Sequence, residues 1–293
     1  MTTGSVTPID KSGFGAYVNL SVEGQVLDGS FSKFLLDALE SHSVIVLKES
    51  ALKSETFVGL AASMGNLEIL PEAEKRNTEF PAIFDLTNVG EDGHIVQFDE
   101  PQSVFLRGTE RWHTDSSFRQ IPSIGSILHG IEVTSPGGET LFANMCLAYE
   151  ALDEKLKSRI AGLTVTHSHA HILSLSDELY SRQHRGEYTP LPPVIHPLVR
   201  MHPETGKHSL FLSPHTMTGI VQLPGQQGMA LLDELIAHAT QDRFVYCHQW
   251  RQHDVVMWDN RCTMHAVTPF DNQTQRRIMH RTTIVGDEAP IAA

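Results

Sequence analysis

Residues 123–144 read SIGSILHGIEVTSPGGETLFAN. Two apolar, partly β-branched runs flank Pro136-Gly137-Gly138, and a Pro-Gly-Gly triplet is a strong turn signal. The stretch predicts two strands, SIGSILHGIEV and ETLFAN, joined by that turn. Strand signals continue downstream. LTVTHS follows at 163–168, then VIHPLVRMH and SLFLS on either side of the turn His202-Pro203-Glu204-Thr205-Gly206-Lys207, then FVYCHQW, DVVMW and RRIMHRTTIVG. Upstream, helical spacing predicts helices over 31–41 (FSKFLLDALES) and 55–64 (ETFVGLAASM), with SVIVLK at 43–48 reading as a buried strand between them. An EDG turn followed by HIVQF predicts a hairpin near 91–97, and further helices are expected at 145–161 and 227–240. Helices early and late with many strands between them define an α+β fold with an antiparallel sandwich or jelly-roll core. No repeat or low-complexity linker divides the chain, so residues 1–293 read as one domain. Two stretches without clean periodicity, near 97–112 and 170–192, read as lid-like insertions.

Composition narrows the function classes. The chain has 293 residues, 40% hydrophobic and 19% charged, an ordinary globular profile. Its formal net charge is −13, from 22 basic and 35 acidic residues, with no basic block of five or more. A polyanion is repelled on average, so no nucleic-acid partner is expected. The three cysteines Cys146, Cys247 and Cys262 form no CxxC and are odd in number, which points to a reducing cytoplasm. MTTGSVTPIDKSG lacks the charged and apolar regions of a signal peptide, and no apolar run reaches 18 residues, so no membrane association is expected.

Four motifs carry chemistry. In RWHTDSSF, His113 and Asp115 stand at i and i+2, which on a strand puts both on one face and lets both reach one ion. Two imidazoles and a carboxylate on one face form the ligand set of Fe(II) oxygenases. His-X-Asp alone is common and often only a loop dipeptide. His265, in VVMWDNRCTMHAVTPF, lies 150 residues beyond Asp115, so only folding can unite the three. In QRRIMHRTT, Arg277 and Arg281 share one strand face while Arg276 and His280 face the other way. Two guanidiniums on one face call for anions, and the arginine fork matches a carboxylate; an exposed edge strand is the alternative. Thr140 opens the strand after the Pro-Gly-Gly turn and can offer its hydroxyl to a carboxylate. The run His167-Ser168-His169-Ala170-His171 has a metal-like composition, but its alternation fits a strand entering a loop.

WHTDSSF, SPGGETLFANM, RMHPETGK, VVMWDNRCTMH and QRRIMHRTTIVGD occur in this order from Trp112 to Asp287. In them the chain resembles the TauD/TfdA family of Fe(II)/2-oxoglutarate dioxygenases, over nearly its whole length from about Val44 to Gly286. FDLTNVGEDGHIVQFDEP and the 195–213 segment bring it nearest the aryloxyalkanoate-degrading branch. The resemblance implies a double-stranded β-helix (jelly-roll) core with flanking helices and long active-site loops. It implies Fe(II) held by His113, Asp115 and His265, with O2 and 2-oxoglutarate as co-substrates. Arg277 and Thr140 match the residues that grip the distal carboxylate of 2-oxoglutarate. Arg281, Phe118 and, less directly, His215 match positions that meet the prime substrate. A homo-oligomer, dimer or tetramer, is also implied. His265 to Arg277 is one residue longer than the family pattern, which leaves Arg276 as a competitor for the co-substrate role.

The implied reaction hydroxylates a C–H bond of a small anionic substrate, an aryloxyalkanoate-like carboxylate for preference, while 2-oxoglutarate loses CO2 to become succinate. A carboxylate at Asp115 favours hydroxylation over halogenation, which requires a small residue there. The alternatives are a taurine, alkylsulfonate or sulfate-ester cleaving dioxygenase, and a biosynthetic hydroxylase of amino or aryl acids. A catalytically silent 2-oxoglutarate sensor and a His2Asp zinc hydrolase stand further off, the latter leaving Arg277 unexplained.

Overall fold

The computed structural model describes residues 4–24, 26–69, 77–97, 100–175 and 190–293. In chain order its elements are β1 (Ser5–Pro8), β2 (Ala16–Asn19), α1 (Gly29–His42), β3 (Val44–Leu47), α2 (Ser54–Met64), β4 (Phe84–Thr87), α3 (Pro101–Gly108), β5 (Gly125–Glu132), β6 (Thr140–Asn144), α4 (Met145–Glu150) and α5 (Glu154–Ile160). There follow β7 (Thr164–His167), α6 (His169–Leu175), β8 (Val194–Pro197), β9 (Val199–Met201), β10 (His208–Leu210), β11 (Met217–Ile220), α7 (Gln226–Ala239), β12 (Val245–His248), β13 (Val255–Asp259), β14 (Thr263–Val267), β15 (Ile278–Ile284) and β16 (Ile291–Ala292). The largest sheet runs β1-β2-β3-β13-β5-β15-β4, and three smaller sheets run β12-β6-β14, β11-β7-β8 and β10-β9-β16. Pairing is antiparallel throughout except between β2 and β3. This is the jelly-roll core of an α+β protein.

The apolar pattern explains the layering. β3 is VIVL, buried at every position, because both its faces are covered. Ile45 and Leu47, with Met257 and Val255 of β13, pack outward under α1 and α2 against Phe31, Leu35, Phe57 and Leu60. The alternate residues Val44, Val46, Val256 and Trp258 face inward and meet Phe142 of β6 and Met279 of β15. Fully burying side chains of this size contributes about 1.5–3 kcal/mol each. A third cluster seats α7, through Leu231, Leu232 and Leu235, on Val165, Ile220, Ala143 and Met264. The His265 ring packs against Phe142 and Trp258 of the inward-facing cluster.

Several expectations change in detail. The helix over 145–161 is two helices. Asp153 accepts from Leu156 N at 2.7 Å and caps α5, so the chain restarts there. The hairpin near 91–97 reduces to a turn closed by the single bridge Val89↔Ile95. The stretch 97–112, expected to be irregular, contains α3 with Pro101 in its first turn. The loop expected after β7 starts as α6, and most of 170–192 lies outside the described residues. No helix among the described residues is long and apolar enough to cross a membrane.

Candidate metal centre and co-substrate site

His113 and His265 form an isolated antiparallel bridge, with His113 N donating to His265 O at 2.9 Å and His265 N to His113 O at 2.8 Å. Thus His113-Thr114-Asp115 lies on one bridge rather than the strand expected. The alternation still holds, because Thr114 turns away and donates to Leu212 O at 2.8 Å. Asn260, in the Trp-Asp-Asn-Arg turn between β13 and β14, anchors the other half of the motif. Its Oδ1 accepts from Asp115 N at 3.0 Å, and its Nδ2 donates to Asp115 O at 2.8 Å and Ser123 O at 2.9 Å.

Two neutral imidazoles and one ionised carboxylate converge there. His113 Nε2 and His265 Nε2 each stand 3.9 Å from an Asp115 carboxylate oxygen. The donor atoms of all three residues lie within 4.8 Å of one another. Such separations are too long for hydrogen bonds, yet two donor–metal bonds of about 2.0–2.2 Å bridge roughly 4 Å. Burial lowers His113 to a pKa of about 3 and His265 to about 4. Burial pushes the Asp115 carboxyl up, but the Arg281 cation at 3.1 Å, the two histidines and Ser126 together outweigh it and hold the group well below the usual carboxylate range. Ser126 Oγ also donates to Asp115 Oδ2 at 2.9 Å. The Arg111 carbonyl can only accept, so His113 Nδ1 at 2.8 Å carries the proton and Nε2 keeps its lone pair for a metal. The donor set fits a divalent cation that tolerates mixed nitrogen and oxygen ligands.

Arg277 is the second feature. It is 3% exposed, and no carboxylate among the described residues pairs with it. Its NH2 reaches only Gly138 O at 3.5 Å, and its guanidinium lies 5.8 Å from the Phe270 ring centre. Burial alone lowers its pKa to about 10, so it remains a cation in a dry place. Asn88, fully buried, orients it by accepting from Arg277 N at 2.7 Å, while Asn88 Nδ2 donates to Asn272 O and Gln275 O. That clamp absorbs the extra residue between His265 and Arg277. Arg276 faces outward and forks onto Glu132 at 2.8 and 3.0 Å. Gly137 and Gly138, at φ of 88° and 77°, make the turn that brings Gly138 against Arg277 and opens β6 at Thr140. Trp250 Nε1 donates to Thr140 Oγ1 at 2.9 Å, which directs the hydroxyl proton elsewhere.

Two of the expected substrate positions, Arg281 and His215, stand against the triad. Arg281 bonds Asp115, lies 4.9 Å from the Phe84 ring centre and keeps a buried Nε without a partner. The His215 ring meets His113 edge-on at 5.6 Å, and its pKa falls to about 3 through burial and then His113. Phe118 stacks on His169 at 4.3 Å. The rest of the 167–171 run behaves structurally: His167 stacks on Phe211 at 5.1 Å and bonds Thr216 Oγ1 at 2.8 Å. Asn88, Asn260, Ser126 and Trp250 escaped sequence reasoning. Asn260 sits in a motif already singled out; the other three carry no local signal.

This fold and site define a 2-oxoglutarate-dependent dioxygenase class, and comparison with known proteins agrees. The family model described as "Taurine catabolism dioxygenase TauD, TfdA family" matches residues 5–283. The chain belongs to that family. It is 33% identical over 93% of its length, and 91% of the relative's, to the alpha-ketoglutarate-dependent 2,4-dichlorophenoxyacetate dioxygenase of Burkholderia sp. (strain RASC). It is 35% identical to the (S)-phenoxypropionate/alpha-ketoglutarate-dioxygenase of Sphingobium herbicidovorans, covering 97% of this chain and 96% of that one. The crystal structure of AAD-2 in complex with Mn(II) and N-oxalylglycine superposes with a TM-score of 0.84 at 33% identity, covering 99% of this chain and 100% of that one.

Proposed function

We propose that this protein is an Fe(II)/2-oxoglutarate-dependent dioxygenase that hydroxylates a C–H bond of a small aryloxyalkanoate-like carboxylate. The observation that carries the reading is Arg277, a buried cation without a counter-anion among the described residues, in the same fold as a buried His-Asp-His donor set. A buried charge persists only where a partner compensates it. The distal carboxylate of 2-oxoglutarate supplies that partner, held by the Arg277 fork and the free proton of Thr140. The family relatives named above act on phenoxy acids and use alpha-ketoglutarate, which favours an aryloxy acid as substrate.

His113, Asp115 and His265 would hold the iron, which supplies the redox chemistry that turns O2, 2-oxoglutarate and a C–H bond into an alcohol, succinate and CO2. The chain's own residues do the rest. Burial keeps both imidazoles unprotonated near neutral pH, so no proton competes for their Nε2 lone pairs. Arg281 keeps Asp115 ionised, and its unpartnered Nε remains for a substrate anion. The His215 ring, edge-on to His113, would line the substrate pocket, and Phe118, stacked on His169, is its further candidate. Phe84, under the Arg281 guanidinium and packed on Phe105, would help exclude water from the C–H bond. If the hydroxylated carbon bears an ether oxygen, the product breaks to a phenol and a carbonyl acid.

The test is succinate release with Fe(II), O2 and 2-oxoglutarate across a panel of aryloxy acids, alkylsulfonates, alkyl sulfates and amino acids. Aryloxy acids should give the highest coupled turnover. Turnover confined to sulfonates or sulfates would move the substrate assignment, and 2-oxoglutarate binding without any succinate would make the protein a sensor. Three free cysteines support a cytoplasmic setting, and the net charge of −13 supports a small-molecule partner over a nucleic acid.

A further inference from the structure

The strands that build the metal centre also bring two cysteines together on another side of the core. β6 ends and β14 begins in register, with Asn144 opposite Thr263 and Met145 N donating to Cys262 O at 2.9 Å. Cys146, in the first turn of α4, and Cys262, at the end of the turn into β14, therefore face one another. Cys262 Sγ donates to Asp259 O at 3.7 Å. The two cysteines are 6% and 4% exposed. Both line a cavity of about 60 Å³ that His202 and Lys207 also border. We propose that Cys146 and Cys262 form an oxidisable dithiol, separate from the iron centre, which a hydroperoxide closes to a disulfide.

The surroundings select an anion here. Arg200, 4% exposed, is held by Asn260 O at 2.7 Å and by the Phe211 ring at 3.9 Å, with no ion pair to a carboxylate among the described residues. Arg261 and His202 both bond Asp259, and Arg261 also forks onto Glu204. Lys207 borders the same cavity, which Glu40 and Glu150 also line. Lys207 and Arg200 favour a thiolate at Cys146, and thiolates are the nucleophiles of cysteine chemistry. Cys146 is held below the usual thiol range by Cys262, then by Lys207, Ser209 and Arg200, while Cys262 is pushed up. Cys146 is thus the readier of the two thiols to ionise.

The chemistry balances with hydrogen peroxide as oxidant. The Cys146 thiolate attacks one peroxide oxygen, the O–O bond breaks, and the leaving hydroxide takes a proton to become water. The sulfur of the resulting sulfenic acid is then attacked by Cys262. An S–S bond forms, the S–O bond breaks, and hydroxide leaves with the Cys262 proton as a second water. Two thiols lose two electrons, and peroxide gains them. His202, Asp259 and Cys262 place donor atoms within 4.8 Å of one another, the composition of a zinc site. There, however, the histidine is a cation bonded to its carboxylate at 3.0 Å, and Arg261 already bonds the same carboxylate.

The test treats the protein with hydrogen peroxide and maps its thiols by mass spectrometry under non-reducing conditions. Cys247 is exposed and distant in the ladder, so it serves as the internal control. The expected result is one Cys146–Cys262 cross-link, a loss of two hydrogens in the intact mass of a Cys247→Ser protein, and full reversal by a dithiol reductant. Cys146→Ser and Cys262→Ser should each abolish the cross-link, and the wild-type map decides even where a variant folds poorly. Three outcomes would overturn the proposal: oxidation of Cys247 alone, conversion of Cys146 to sulfinic acid without a cross-link, or stoichiometric zinc that shields both thiols until a chelator removes it.

Discussion

Two clusters in this protein each combine histidine with aspartate and differ in charge. His113, Asp115 and His265 form one; His202 and Asp259 with Cys262 form the other, and both have donor atoms close enough for a metal. In the first, the histidines stand 3.9 Å from the carboxylate and are neutral, with pKa values of about 3 and 4. In the second, His202 bonds Asp259 at 3.0 Å, and Asp259 together with Cys262 overrides burial to raise its pKa to about 9. Arg261 then completes an ion-paired network. Spacing just beyond hydrogen-bond range, with lone pairs kept free, distinguishes a site built to receive a cation from one that already contains its own.

The largest expected effects follow from that distinction. His113→Ala should reduce succinate formation to the no-enzyme level, whereas His202→Gln should leave turnover per folded molecule within a few-fold. Next, Arg277→Ala should raise the KM for 2-oxoglutarate by about 10- to 100-fold, the worth of charge-assisted hydrogen bonds of roughly 1.5–3 kcal/mol. Arg276→Ala should barely move it, because that side chain faces Glu132. Equal effects at the two arginines would undo the assignment of the co-substrate pocket.

Stability separates the clusters in opposite pH directions. A histidine buried neutral contributes stability that is present above its unfolded pKa of about 6.5 and is lost as pH falls toward its folded value. For the metal-free protein, His113 and His265 should each cost about 2 kcal/mol near pH 5, alongside the similarly lowered His129, His167 and His215. His202 behaves inversely: its contribution is full below about 6.5 and disappears as pH rises through about 9. Urea titrations across pH should show a loss on the alkaline side that His202→Gln abolishes, at a cost near neutrality of about 3–5 kcal/mol for breaking a buried pair. An unchanged alkaline limb in that variant would contradict the ion-pair reading. Smallest of all, Trp250→Phe should raise the KM for 2-oxoglutarate about five-fold, the value of one neutral hydrogen bond of about 1 kcal/mol, and leave iron affinity alone.

Much of this was legible in the sequence because it is local. The Pro-Gly-Gly turn, the VIVL strand and the alternation of Arg276 and Arg277 each depend on periodicity or turn chemistry, and the structure keeps all three. The β-strand reading of His113-Thr114-Asp115 was too regular, since a single bridge suffices to set the two side chains on one side. What stayed hidden is non-local. Asn88 reaches Arg277 across 189 positions and Trp250 reaches Thr140 across 110, and neither carries a signal in its own neighbourhood. The break at Asp153 was visible in principle, because an aspartate followed by a charged turn is a helix start.

The central claim is that the neutral cluster, and not the ion-paired one, receives the metal. Anaerobic equilibrium dialysis with Fe(II) tests it directly in wild type, His113→Ala and His202→Gln. One iron per chain should bind to wild type and to His202→Gln, and none to His113→Ala. Iron retained in His113→Ala and lost in His202→Gln would contradict the account.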